Sequence, residues 1–213
     1  MPSKHSGLSK YKLKKLASES LRNCIRLHFD SSLLFNNESY PSAFQLSVLA
    51  IEEFAKAKWV HHYIWSSEMN QGYPDEDFEN KWLKLLYFHP EKQWAFVARE
   101  VYEYSSTFTD FIKRKKMEEK KQNSIYVGFP KVKGKIEVEG RISIPTRIKE
   151  KDAKQVISLV NQELVEVCEA IEHYDSCFEC VPQMDEVFDY DIYRKLLSWP
   201  YRSGLKKRYR INA

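Results

Sequence analysis

The stretch Ala43-Phe-Gln-Leu-Ser-Val-Leu-Ala-Ile-Glu-Glu-Phe-Ala-Lys-Ala57 decides the reading of this chain. On a helical wheel, Phe44, Val48, Ile51, Ala55 and Trp59 share one side. Leu46, Ala50, Ala57 and Val60 occupy much of the other. A helix that is apolar nearly all round is a central, buried helix rather than a surface one. Pro41 suits the first turn, so the pattern predicts a helix from about 41 to 65.

That apolar helix nevertheless carries Gln45, Glu52, Glu53 and Lys56. Gln45, Glu52 and Lys56 lie on one line, and Glu52 precedes Lys56 by four residues, the favourable order for an ion pair within a helix. Buried charges are costly unless paired. Two readings follow. The stripe is a buried ion pair that sets helix register, or it is one wall of a polar cleft able to do acid–base chemistry.

Working outward, amphipathic spacing predicts a first helix over about 8–34 and a short third helix over about 75–88. His89-Pro90 marks a break, since the residue before proline is pushed from helical geometry. A long helix is expected over about 90–121, another over 149–177 and a last over 184–198. Residues 123–146 alternate and are β-prone, which predicts an extended insertion with a hairpin. Only 6 glycines against 13 tyrosines and 12 phenylalanines also favour long helices packed by bulky side chains. The fold class expected is mainly α, a helical bundle with a small β-prone insertion near 123–146. One domain is expected over 1–213, with its core at about 8–180 and a C-terminal helix and basic tail at 184–213.

A second polar stripe opens the fourth helix with His89, Lys92, Gln93, Phe96, Arg99 and Glu103. Histidine exchanges protons near neutral pH, and lysine can hold a phosphate or stabilise a developing anion. A histidine at such a place also serves as a surface or capping residue. The net charge is +4, and it is unevenly spread. Lys113, Arg114, Lys115, Lys116, Lys120 and Lys121 form one basic run, and Arg202, Lys206, Lys207, Arg208 and Arg210 another. Such runs suit phosphate backbones, and they also occur as solvated helix faces.

No window approaches the roughly 20 apolar residues of a membrane span. The basic first residues lack the apolar core of a secretory signal, so the cytoplasm is the expected location. Cys177 and Cys180 have CxxC spacing, with Cys168 and His173 as the nearest further ligands. A zinc site needs a second ligand pair at suitable spacing, so reduced thiols are the expectation and no metal or other cofactor is assigned.

The helix at 43–57 resembles the signature helix of AbiV-type abortive-infection proteins, which belong to the HEPN-like superfamily. That signature has an apolar run, Glu-Glu, two residues, Lys and a small residue. Ala55 stands where the family often has glycine. His89-Pro-Glu-Lys92 resembles the family's later histidine, two residues, lysine. Lys121-Gln-Asn-Ser-Ile-Tyr-Val127 resembles the segment after the long helix, which often ends in tyrosine–valine. The resemblance covers about residues 10–175. It implies a HEPN-like bundle, a homodimer, and a toxin that halts phage production through RNA or translation, set off by a phage-encoded activator.

If the chain is an enzyme, the implied chemistry is metal-independent RNA cleavage. His89 is then the acid or base, and Glu52 the base or its orienting partner. Lys56 and Lys92 are phosphate stabilisers, and Glu53 is the alternative carboxylate. The run Lys113 to Lys121, with Tyr126, would steer RNA. Many HEPN ribonucleases carry an arginine, four to six residues, then a histidine. Here only Arg22 and His28 have that spacing, and they fall in the first helix rather than a late one. A non-catalytic sensor or adaptor that binds a phage protein or the translation machinery is the competing expectation.

Overall fold

The structure is a computed structural model that describes residues 9–70, 72–98, 100–129, 131–132, 135–172 and 187–207. Helix α1 (Lys10–Asn36) starts at Ser9, whose hydroxyl accepts from the Lys12 amide. This satisfies one of the amides that a helix start leaves unpaired. Leu13, Ala17, Leu21, Cys24 and His28 recur at three- and four-residue spacing and are buried. A short connection leads to α2 (Tyr40–Met69), with Pro41 in its first turn. Helices joined this tightly return antiparallel, and α2 packs most extensively on α1. As the wheel predicts, α2 buries both sides: Phe44, Val48, Ile51 and Ala55, and also Ala50, Ala57 and Val60. It also packs on α4, α6 and α7, which makes it the axis of the bundle.

After α3 (Glu76–Leu85), capped by the Asp75 carboxylate, the chain breaks at His89-Pro90 as expected. The expected single helix over 90–121 is three. These are α4 (His89–Ala98), α5 (Ser106–Lys113) and α6 (Lys116–Asn123), with a 3-10 turn at Val101–Glu103. Two local features impose the breaks. Ser105 is extended and caps α5 with its hydroxyl, while Lys115 takes a left-handed φ of 56° before α6. Tyr104, 1% exposed, draws the chain inward at the first break and packs against Phe96 and Phe108. Burying such rings yields about 1.5–3 kcal/mol each, enough to override a continuous helical pattern.

The insertion is extended as expected. Strands β1 (Lys131–Val132) and β2 (Lys135–Ile136) pair antiparallel, and Gly128 and Ser143 exchange backbone hydrogen bonds further out. Helix α7 (Glu150–Glu172) returns against α2 and α1, and α8 (Tyr190–Leu197), capped by Asp189, packs on α7. The following segment then crosses back. The Ser105 amide donates to Leu205 O and the Lys207 amide to Glu103 O, pinning the segment beside Tyr104. The described residues thus form a mainly α-helical bundle of eight α-helices. Arg99, His173, Cys177, Cys180, Arg208 and Arg210, singled out from the sequence, lie outside the described residues.

Candidate functional site

Three helices carry a buried ionic cluster centred on Glu52, which is 1% exposed. It sits midway along α2, away from both ends of that helix. Helix α4 supplies His89 at its start, and the helical geometry brings Lys92 and Gln93 onto the same side three and four residues later. His89 Nδ1 lies 2.5 Å from Glu52 Oε2, and Lys92 Nζ lies 3.4 Å from the same oxygen. Gln93 Nε2 donates to Glu52 Oε1 at 2.8 Å. Helix α6 supplies Lys121, whose ammonium is 2.8 Å from Glu52 Oε1 and 2.8 Å from Glu118 Oε2. Gln93 Nε2 also donates to Glu118, closing the network.

The charges balance when His89 is neutral: Glu52 and Glu118 against Lys92 and Lys121. A carboxylate can only accept, so His89 Nδ1 carries the proton that points at Glu52. The other ring nitrogen, Nε2, is then the one with the bare lone pair. The His89 side chain is 48% exposed, whereas those of Lys92 and Lys121 are 7% and 4% exposed. Burial raises the Glu118 carboxyl, but bonds from Lys121, Gln122 and Gln93 and the Lys121 charge outweigh it and hold Glu118 below its ordinary range. His89 is the most exposed member of the cluster, with Glu118 next at 19%.

The other sequence candidates do not gather in one place. Lys56 does not pair with Glu52 four residues before it. Its ammonium bonds Glu53 Oε1 at 2.7 Å, because both oxygens of Glu52 are already taken by groups from α4 and α6. Lys113, Arg114, Lys115 and Lys116 are exposed, and Lys115 Nζ stands 5.8 Å from the ring of Phe88, the residue before His89. Lys116 pairs with Glu119, and Lys120 with Asp152 at 2.6 Å. Lys121 leaves the basic run altogether and is buried in the Glu52 cluster. Tyr126 is 62% exposed. Arg22 is exposed while His28 is buried, so the arginine–histidine spacing in α1 does not assemble one open site.

Glu118 went unnoticed in the sequence. A signal existed: Met117, Lys121 and Ser124 are spaced four and three apart and are all buried, which marks Lys121 as facing inward. A second cluster was missed as well. Glu163 of α7, 4% exposed, accepts from Tyr104 Oη at 2.9 Å and lies 3.0 Å from Lys206 Nζ. Lys206 also pairs with Glu103 and Glu166. Burial pushes the Glu163 carboxyl up, against the pull of Lys206 and Lys58. Burial would lower Lys206, but Glu163 and Glu166 raise it further than burial lowers it. Burial and the Glu163 charge raise the Tyr104 hydroxyl, which keeps it a donor.

Among the described residues no group of three or more His, Cys, Asp or Glu is placed to hold a metal ion. No helix of the described residues is long and apolar enough to cross a membrane. A separate cavity of about 470 Å³, walled by Trp59, Tyr63, Tyr73 and Trp82 toward the end of α2, contains none of the Glu52 cluster. The family model HEPN_AbiV, described as AbiV, matches residues 12–166, which contain the whole Glu52 cluster. No curated protein and no solved structure matches the chain.

Proposed function

The chain belongs to the AbiV family of HEPN-like proteins, a family with a role in defence, and we propose that it halts phage production as a metal-independent, RNA-cleaving toxin that uses His89 as its base. The observation that carries this reading is the 2.5 Å contact from a buried carboxylate to Nδ1 of a half-exposed histidine. Glu52 fixes the tautomer and leaves Nε2 bare toward solvent, the arrangement by which a carboxylate orients a catalytic base.

In the proposed step His89 Nε2 takes the proton of a ribose 2′-OH. The 2′-oxygen attacks the neighbouring phosphorus, the bond to the 5′-oxygen breaks, that oxygen takes a proton from solvent water, and His89 returns its own proton to solvent. The products are a 2′,3′-cyclic phosphate and a free 5′-OH. The imidazolium formed is stabilised by Glu52, and Lys92 adds positive potential from below. Lys56, held by Glu53 one turn along α2 from Glu52, is a further phosphate stabiliser, and Lys113, Arg114, Lys115, Lys116 and Lys120, with Tyr126, guide the RNA. The reading also includes action in the cytoplasm, a homodimer and a phage-encoded activator.

Expression of wild type beside His89→Ala in growing cells, with RNA end analysis, tests it. Growth arrest and 2′,3′-cyclic ends should appear with wild type and vanish with the variant. An equally toxic, folded His89→Ala would end the catalytic reading. One observation favours a second reading, a non-catalytic adaptor. Lys92 and Lys121 are already spent on Glu52, while Tyr87, Phe88, Tyr126 and Val127 are exposed and offer a partner apolar anchors. Purified protein that leaves RNA intact while still arresting growth would support it.

A further inference from the structure

Toward its C-terminal end, α2 turns a face of rings to α3. Trp59 and Tyr63 are four residues apart on α2, and Phe78 and Trp82 four apart on α3, so each pair falls on one side of its helix. With Tyr73 from the connection between the two helices, they wall the cavity of about 470 Å³. Tyr63 and Trp82 stack at 4.1 Å with their planes 17° apart, while Tyr73 is tilted 54° to Tyr63. The walls therefore meet at an angle rather than forming a flat slot. No Asp, Glu, Lys or Arg lines the cavity among the described residues.

One charge lies directly behind these rings. Glu79, 5% exposed, accepts from Tyr63 Oη at 3.0 Å. Among the described residues its side chain has no other hydrogen-bond partner and no ion-pair partner. Lys81 and Lys84 follow it by two and five residues, off its side of α3, and both are exposed. Glu52 and Glu163, by contrast, each hold a lysine. A buried carboxylate without a cation is costly. Burial, and then the bond to Glu79, raise the Tyr63 hydroxyl, so it stays a donor and its ring lies in the field of the carboxylate. Exposed Asp75, Glu76 and Asp77 sit between Pro74 and Phe78, which line the cavity, and add negative potential at its edge.

This end of the fold supplies π faces and a negative potential, and the described residues bring no cation to either. A compact ammonium is strongly hydrated and needs oxygen acceptors that rings do not offer. An alkylated ammonium is recognised through ring faces instead. The volume is that of a small-molecule site. We infer that this cavity binds a small, diffusible quaternary ammonium compound by cation–π contact with Trp59, Tyr63, Tyr73, Phe78 and Trp82, and that Glu79 acts through Tyr63 without touching the ligand. The inference does not depend on the chemistry assigned to His89.

Titration calorimetry of the full chain with choline tests it, beside 3,3-dimethylbutan-1-ol, which keeps the shape of choline and puts carbon in place of the charged nitrogen. Choline should bind about tenfold tighter than this neutral twin. Glu79→Gln leaves Tyr63 an acceptor and removes the charge, so it should weaken choline about threefold to tenfold and leave the alcohol unmoved. Phe78→Ala, at a position 51% exposed and therefore safe for folding, removes one wall and should weaken both ligands. Equal affinity for choline and the alcohol would make the cavity an apolar pocket and overturn the proposal. Choline binding undiminished by Phe78→Ala would place the ligand elsewhere and overturn it equally, as would absence of heat at millimolar choline. Tighter binding of arginine amide than of choline would make the cavity a seat for a partner's guanidinium and would overturn it too.

Discussion

Glu52 and Glu163 are both buried carboxylates, 1% and 4% exposed, and both recruit a lysine distant in sequence. They differ in what lies between them and water. The Glu52 cluster ends on His89, whose ring is half in solvent. The Glu163 cluster lies under Tyr104, and its most exposed member is the Glu166 carboxylate, 44% exposed and joined to Glu163 through Lys206. A buried charge network can trade protons with a substrate only if one member reaches out. Where that member is a carboxylate already held by a lysine, the network is a fastener that joins elements of the fold. The same residue types thus give a candidate site in one place and a structural lock in the other.

The largest break in this comparison should come from Glu52→Ala. It strands Lys92 in the interior, leaves Lys121 with Glu118 alone, and should cost about 3–5 kcal/mol in urea unfolding, together with all activity. Glu163→Ala should cost less, roughly 1–3 kcal/mol, because Lys206 keeps Glu103 and Glu166 as partners. Activity that survives in a folded Glu163→Ala protein and is lost in Glu52→Gln would separate site from fastener.

His89→Ala comes next. RNA cleavage should fall by about 10²–10⁴-fold, the usual worth of a positioned acid or base, while stability changes by less than about 1 kcal/mol. A comparable loss of stability would instead make His89 a packing residue.

Acid should then act on the two clusters with opposite sign. Glu118 is held below its ordinary range, so its contribution is present above the unfolded value of 4.5 and is lost as pH falls through the lower folded value. Glu163 is raised, so its ionisation is a cost that is absent at low pH and grows as pH climbs through the folded value. Unfolding of Glu118→Gln and Glu163→Gln across pH reads this directly. The first should be destabilised above about pH 4.5 and converge on wild type in acid. The second should converge on wild type in acid and gain on it as pH rises. Parallel slopes would erase the distinction.

The smallest effect on the fold belongs to the exposed basic residues. Changing Lys113, Arg114 and Lys115 together to alanine should leave stability nearly unchanged. The salt dependence of RNA binding should flatten by about 0.7 in log–log slope for each phosphate that the protein no longer neutralises. An unchanged slope would remove this edge from the RNA path.

The fold was legible in the sequence where one element carried its own message. The apolar circumference of α2 and the alternation in 123–146 both reported correctly on burial and extension. The single helix expected over 90–121 failed because its breaks come from tertiary demand: Tyr104 must reach Glu163, and Lys115 must turn α6 inward. At the candidate site, Glu52, His89, Lys92 and Gln93 were visible as two stripes of odd polarity. Their connection through Lys121 and Glu118 was not, because a lysine in a basic run carries no local mark of a partner 69 residues away. The nearest lysine to Glu52 in sequence, Lys56, settled on Glu53 instead.

The crossing segment also has a consequence in time. Synthesis delivers Tyr104 and Glu163 well before Lys206, and domains made on the ribosome fold as their parts emerge. Until residue 206 arrives, the carboxylate on α7 has Tyr104 but not the principal cation, and it is neutral only by holding a proton. The lock on the bundle is therefore set by nearly the last of its described residues. A nascent chain stalled between 163 and 206 should be soft around Tyr104 and firm around α1 and α2, with protease sensitivity graded in that order.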